Sequence, residues 1–290
     1  MKENKMRKNP YNKDLKEQLP LFMQGPSTTT ALITNEAQTD ILEKSMKIPS
    51  HKYEVNGVTF TMVQPPVLNL DFTSNPQDVI NVEMGQTEVT QKLFWAVMRF
   101  NFSRNKNSPQ NPVENVSWFD CISFCNKLSE LSGFQSYYKI SDIVNDYLYT
   151  DRMVLGRVTQ DETANGFRLP TEYEWTSFAK AGTKNQWSGT DDEDELRKYA
   201  WCFDNSERHT HPVGEKLPNA WGLSDMTGNV DEWCWDAREP NDENIFAQRV
   251  VIGGSFGSLA RLHTVYDRSG CFYPDTTRDG VGFRICRTIK

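Results

Sequence analysis

The stretch Trp221-Gly222-Leu223-Ser224-Asp225-Met226-Thr227-Gly228-Asn229-Val230-Asp231-Glu232-Trp233 constrains the fold more than any other part of the chain. Two tryptophans bracket it, Gly222 and Gly228 interrupt it, and polar residues follow closely on the apolar ones. No helical or strand periodicity survives that pattern. Gly228-Asn229 signals a turn, because glycine and asparagine enter the left-handed backbone region most cheaply. The stretch therefore reads as a tight turn between two buried aromatic anchors, neither helix nor strand. Asp225, Asp231 and Glu232 bring carboxylates to it. With backbone carbonyls they make the all-oxygen donor set that a hard cation such as Ca²⁺ takes. A satisfied polar turn without an ion is the alternative.

Around this stretch the chain reads as a large domain over residues 51–290 behind a flexible extension over residues 1–50. The extension mixes Lys, Asn and Glu with the Gly/Pro/Ser/Thr run 25–30, and its one helical signal lies near Asp40 to Met46. A second reading makes it an arm that docks the domain onto a larger assembly. From Tyr53 to Val63 two alternating runs flank Asn56-Gly57, which predicts a hairpin. Val79 to Met84 is a further strand. Thr90 caps a helix to Met98, with Leu93, Phe94, Val97 and Met98 on one face. Ser117 caps a second, directing Phe119, Ile122, Phe124, Leu128 and Leu131 inward and stopping at Gly133. Thr171 and Glu174 form a capping box for a third, stopped by Gly182. Residues 189–194 are an acidic, solvated loop, and short strands and turns follow Tyr199.

Composition excludes several function classes. The net charge of −7 argues against a nucleic-acid surface, which needs a basic stripe. No apolar run approaches the ~20 residues of a membrane span. The start carries no signal-peptide or lipoprotein pattern, so the expected location is cytoplasmic or phage-associated. The six cysteines form no C-x-x-C pair, and Cys121 and Cys125 read as small buried thiols. His209 and His211 read as an isolated loop pair, and neither a phosphate loop nor G-x-S-x-G is present.

Six ordered blocks carry a family resemblance. They are Gly85-Gln86-Thr87-Glu88-Val89-Thr90, the run 112–118 (PVENVSW), the run 165–175 (NGFRLPTEYEW), the turn 221–233, Gly253-Gly254-Ser255 and Gly282-Phe283-Arg284. Together they resemble the formylglycine-generating enzyme (sulfatase-modifying factor) family. The resemblance implies an α+β, C-type-lectin-like fold with extensive loops and little regular secondary structure. It also implies a structural calcium held by the Asp225 and Glu232 side chains and the Gly228 and Val230 carbonyls. The family's oxidase depends on two cysteines at positions that here are Ser258 and His263. Neither side chain is the soft thiolate that Cu(I) selects, so no copper and no enzyme are expected. A formylglycine-generating-type oxidase or related protein-modifying enzyme is the competing reading.

One further pattern stands out: residues 249–289 contain no Lys, Glu, Gln, Met or Trp. Codons ending in a pyrimidine cannot encode those five, and can encode everything present. The stretch resembles the variable region of the variable proteins of diversity-generating retroelements, which occur on this branch of the C-type lectin fold. Residues 253–284 then divide into two sets. Framework positions are Gly253-Gly254-Ser255, Ala260, Val265, Arg268, Pro274, Arg278 and Gly282-Phe283-Arg284. Ligand-binding positions are Gly257, Ser258, Leu259, Arg261, Leu262, Tyr266, Asp267, Ser269, Cys271, Phe272, Tyr273, Asp275, Thr276, Thr277 and Asp279. The expected partner is a protein or cell-surface ligand, met by a mixed aromatic and acidic surface. An ordinary loop that favours Arg over Lys is the plainer alternative.

Overall fold

Asn56 and Gly57 both have positive φ (49° and 78°), as a two-residue hairpin turn requires, and they join β1 (Ser50–Val55) to β2 (Val58–Val63). The computed structural model describes residues 48–65, 81–144, 155–240, 242 and 244–290. The expected extension 1–50 and its helical signal near 40–46 therefore lie outside the described residues, apart from 48–50. The described chain forms one unit, Ile48–Lys290. β3 (Val82–Gly85) pairs with β2, and the C-terminal strand β11 (Cys286–Thr288) inserts between β3 and β6 (Phe167–Arg168). The resulting five-stranded sheet runs β1-β2-β3-β11-β6. A four-stranded sheet runs β10-β7-β8-β9, with β7 at Asp231–Ala237, β8 at Arg249–Ile252, β9 at Arg268–Phe272 and β10 at Val281–Gly282.

Three α-helices among the described residues start where the caps predict. Thr90 Oγ accepts the Leu93 N–H at the head of α1 (Gln91–Met98). Ser117 and Asp120 close a reciprocal capping box on α2 (Trp118–Leu131), and Thr171 and Glu174 do the same on α3 (Glu172–Lys180). Phe119, Ile122, Phe124 and Leu128 of α2 are buried as expected. Leu131 is not: it is 46% exposed, because the last turn of α2 has passed the edge of the core. The main core stacks Phe94 on Phe124 at 5.4 Å and sets Phe283 edge-on to Phe124 at 5.3 Å. A second cluster gathers Trp175, Phe178, Trp221, Met226, Val250 and Ile252. No described helix is long and apolar enough to cross a membrane.

Several local expectations are corrected. The run 221–233 does not stay a turn, because β7 starts at Asp231, whose N–H donates to Gly280 O at 2.8 Å. That contact comes from parallel pairing with β10, fifty residues away. Asp191, Asp192, Glu193 and Asp194 are exposed as the acidic loop predicts, but Thr190 is buried and Gly189 (φ +91°) lies against Tyr199. A 3-10 helix, Glu193–Lys198, then buries Leu196. The stop after α3 is shared, since Ala181 itself takes the left-handed conformation ahead of Gly182. β4 (Tyr138–Val144) pairs antiparallel with β5 (Leu155–Gln160), two strands that the sequence patterns do not predict.

Candidate ligand-binding surface

The candidate surface hangs between two anchors, and the turn 221–233 builds the first. Gly228 (φ +87°) sits so close to Trp201 that an added Cβ would be 2.2 Å from its carbonyl oxygen. Its N–H donates to Gly253 O (3.0 Å), and Phe256 N–H donates to Asn229 O (2.8 Å). Asn229 is itself left-handed, and its amide brackets the His211 backbone from both sides. His211 is not an isolated loop residue, because its ring stacks on Trp201 at 3.7 Å. Gly253 (φ +105°) then passes over Trp175, and Gly254 (φ +75°) over His263, where a side chain would be both crowded and strained in its backbone conformation.

The second anchor is the Gly282-Phe283-Arg284 block. An added Cβ on Gly282 would be 2.3 Å from Val113 O, and Phe283 is fully buried. Arg284 donates from Nε and Nη2 to the two Glu232 oxygens at 2.6 Å each, and from Nη1 and Nη2 to Gly85 O and Ser224 O. Trp175 Nε1 adds a third donor to Glu232 at 2.7 Å. Arg284, Glu232 and Trp175 are all buried, so the charges are compensated in place rather than by water.

This geometry tests the calcium expectation. Asp225 Oδ2 accepts the Gly214 N–H at 2.7 Å, and its Oδ1 is buried without a hydrogen-bond partner among the described residues. Burial pushes the neighbouring Glu88 well above the ordinary carboxylate range and lifts Asp225 to about 6. Both Glu88 oxygens are likewise buried without a hydrogen-bond partner among the described residues. Both Glu232 oxygens already accept from the Arg284 cation, and Oε2 accepts from Trp175 as well. No group of three or more His, Cys, Asp or Glu among the described residues is placed to hold a metal. Asp225, Gly228, Val230 and Glu232 thus fit calcium poorly as a set: Arg284 already stands as the cation against Glu232.

Between the anchors, the framework positions are pinned one by one. Trp187 Nε1 donates to Ala260 O, Val265 N–H donates to Gln186 O, Trp118 N–H donates to Pro274 O, and Asn115 N–H donates to Arg278 O. Arg268 forms a two-pronged ion pair with Glu172, 2.6 Å on each side. Arg268 and Arg278 are nonetheless exposed, so they hold the loop from outside; Arg278 lies 4.2 Å over the Phe272 ring.

None of the fifteen expected ligand-binding residues is buried. Gly257, Arg261, Leu262, Tyr266, Asp267, Tyr273, Asp275 and Asp279 are exposed; Ser258, Leu259, Ser269, Cys271, Phe272, Thr276 and Thr277 are half-buried. Leu262, Tyr266 and Tyr273 present 61%, 57% and 56% of their surface. Some members also do structural work. Ser258 Oγ accepts the Ser255 N–H, Ser269 Oγ accepts the Gly254 N–H, and Asp267 Oδ2 holds both polar groups of Thr264. Phe203 was missed: it is 42% exposed and its N–H donates to Ser258 O, which places it beside the stretch. A lone aromatic fifty residues upstream carries no sequence signal for that placement.

At the positions of the family's cysteines, Ser258 and His263 do not form a nucleophile and base. Ser258 Oγ faces Ser255 at 3.2 Å, and His263 Nδ1 faces Ser269 at 3.4 Å. Burial lowers the His263 pKa, so the ring is neutral at pH 7.

Known proteins agree with this architecture. Treponema denticola variable protein 1 is 33% identical over 82% of this chain and 99% of its own, with a TM-score of 0.70. The chaperone protein LppX of Paenibacillus barcinonensis is 34% identical over 71% of this chain and 79% of that protein. The inactive C-alpha-formylglycine-generating enzyme 2 of Mus musculus is 34% identical over 41% of this chain and 42% of that protein. Residues 17–289 match the sulfatase-modifying factor enzyme 1-like domain, and the chain belongs to that family.

Proposed function

We propose that this protein is a non-enzymatic binding protein of the variable-protein type, whose C-terminal stretch displays a diversified surface to a protein or cell-surface ligand. One observation carries the reading: all fifteen interspersed positions reach solvent, while the residues between them are pinned to the scaffold. Such a division lets side chains change without opening the core. The likeness to a variable protein at 33% identity supports it, as does the restricted residue alphabet of 249–289. Exposed Tyr and Leu beside Asp and Arg form the mixed surface that recognises proteins. Nucleic acid is not the ligand of a chain with net charge −7, and nothing in the reading calls for membrane insertion, copper or calcium.

Oxidase chemistry is excluded from the proposal because a serine and a neutral histidine replace the two thiols. The test is to sequence this gene and its flanks across isolates. Substitutions concentrated in the fifteen codons, beside a reverse transcriptase and a near-duplicate template, support the proposal. Substitutions spread evenly through residues 253–284, framework included, overturn it.

A further inference from the structure

A groove of about 700 Å³ opens beside the display surface, outside the fifteen positions. It is lined by Trp118, Trp235 and Arg249 and by the β5 residues from Gly156 to Gln160. Three features of it are unusual together. First, among the described residues β5 pairs with β4 alone, which leaves its second edge without a described strand partner. Second, Arg249 is a half-buried cation with no ion pair among the described residues. Its guanidinium lies 4.2 Å from the Trp118 ring centroid and 5.3 Å from that of Trp235. Nη1 donates to Trp235 O, Nε is buried without a partner, and Nη2 has none among the described residues. Third, the other arginines of the groove are already paired, Arg157 with Asp142 and Arg268 with Glu172.

A desolvated, unpaired guanidinium is costly unless an anion completes it. Desolvation is the main influence on Arg249, and Asp236 and Asp242 act on it only from beyond ion-pair distance. Asp236 is engaged elsewhere, accepting the Glu172 N–H at 2.6 Å. Glu162, Asp236 and Asp242 also line the groove, which penalises a dianion such as phosphate more than a single negative charge. An exposed strand edge is the template for adding an extended chain.

We propose that this groove binds an extended peptide segment of a partner, which adds as a strand to the free edge of β5 and sets a carboxylate against Arg249. The site is independent of the diversified positions, and it would serve whatever residues occupy them. It adjoins them all the same: Arg249 pairs with Phe272 across β8 and β9, and Pro274 O accepts the Trp118 N–H.

The test uses the full chain and four short peptides. Ac-Val-Thr-Glu-Val-Thr-NH₂ carries a side-chain carboxylate, its Gln analogue carries none, and the Gln analogue with a free C-terminus carries a terminal one. The fourth is the Glu peptide N-methylated at alternate amides. Binding is followed by calorimetry and by the Arg Nε–H resonances of ¹⁵N-labelled protein. The expected result is that the Glu peptide binds about 10-fold or more tighter than the Gln peptide, as a charge-assisted hydrogen bond gives. N-methylation weakens that binding, the Arg249 resonance shifts, and Arg249→Gln removes the preference. If the free C-terminus and not the Glu side chain restores binding, the carboxylate recognised is terminal, and the site stands. Binding that neither the Glu side chain nor the free C-terminus strengthens over the amidated Gln peptide, or no binding of any of the three, overturns the proposal. The comparison on unaltered protein decides the matter even if Arg249→Gln folds poorly. Binding that N-methylation leaves unchanged overturns the strand pairing.

Discussion

Replacing Phe283 and Tyr273 by alanine, one at a time, separates a framework from a displayed surface most sharply. Phe283 is fully buried, edge-on to Phe124 at 5.3 Å and to Phe94 at 6.4 Å, and it follows Gly282, which cannot move from Val113. Truncating a ring so enclosed costs about 3–5 kcal/mol, because the tight backbone on either side prevents collapse into the cavity. Tyr273 is 56% exposed and its ring makes no described contact, so Tyr273→Ala is worth within about 0.5 kcal/mol. Leu262→Ala belongs with Tyr273→Ala. Tyr266→Ala loses the Lys180 contact at 4.1 Å, which adds about 0.5–1 kcal/mol. Asp267→Ala and Ser269→Ala fall between the classes, at about 1 kcal/mol, because each removes a local hydrogen bond. Urea unfolding with a shared m-value gives each difference directly. If Tyr273→Ala or Leu262→Ala costs as much as Phe283→Ala, these side chains belong to the core and the display surface is refuted.

Other perturbations reach different parts of the account. Gly228→Val forces a side chain into the Trp201 carbonyl at a left-handed position, and no folded protein is expected by circular dichroism; a variant melting like the parent would contradict the turn geometry. Burial raises Glu114 to about 7, so the unfolded chain ionises it first and its contribution to stability falls as pH rises from about 4.5 to 7. Glu114→Gln should therefore gain roughly 1–2 kcal/mol relative to the parent between pH 5 and pH 8, and a difference that does not change with pH would show that the carboxyl is not strained. With Arg284 as the partner of Glu232, melting in Ca²⁺ and in chelator should coincide; a rise of several degrees in Ca²⁺ would show that the ion displaces the guanidinium. A sulfatase-type cysteine peptide incubated with the protein, Cu and O₂ should yield no aldehyde, and aldehyde formation would restore the oxidase reading.

Local chemistry made much of this fold readable. Thr90, Ser117 and Thr171 cap their helices because the hydroxyl and the orphan N–H lie within three residues of each other. The Asn56-Gly57 hairpin needs nothing beyond its own two residues and the alternating flanks. Contacts that span the chain were silent. β7 begins at Asp231 because β10 lies beside it, and His211 is half-buried because Trp201 is there to stack on. The carboxylates of the central turn looked like ion ligands; only the fold brings Arg284 to Glu232 across fifty-two residues. In the C-terminal stretch, the residue alphabet pointed to exposed positions, and it could not tell a free Tyr273 from a Ser269 that also ties down Gly254. The Arg249 groove was illegible for the same reason, since its parts come from α2, β5, β7 and β8.

The central claim is that the fifteen positions vary freely on a fixed scaffold. A library with pyrimidine-ending codons at those positions and the parent sequence elsewhere, displayed on cells and sorted with a probe of the folded state, measures this directly. A second library of equal size randomises the framework positions of 253–284. The account predicts that most clones of the first library remain folded and most of the second do not. Equal folded fractions in the two libraries would contradict it.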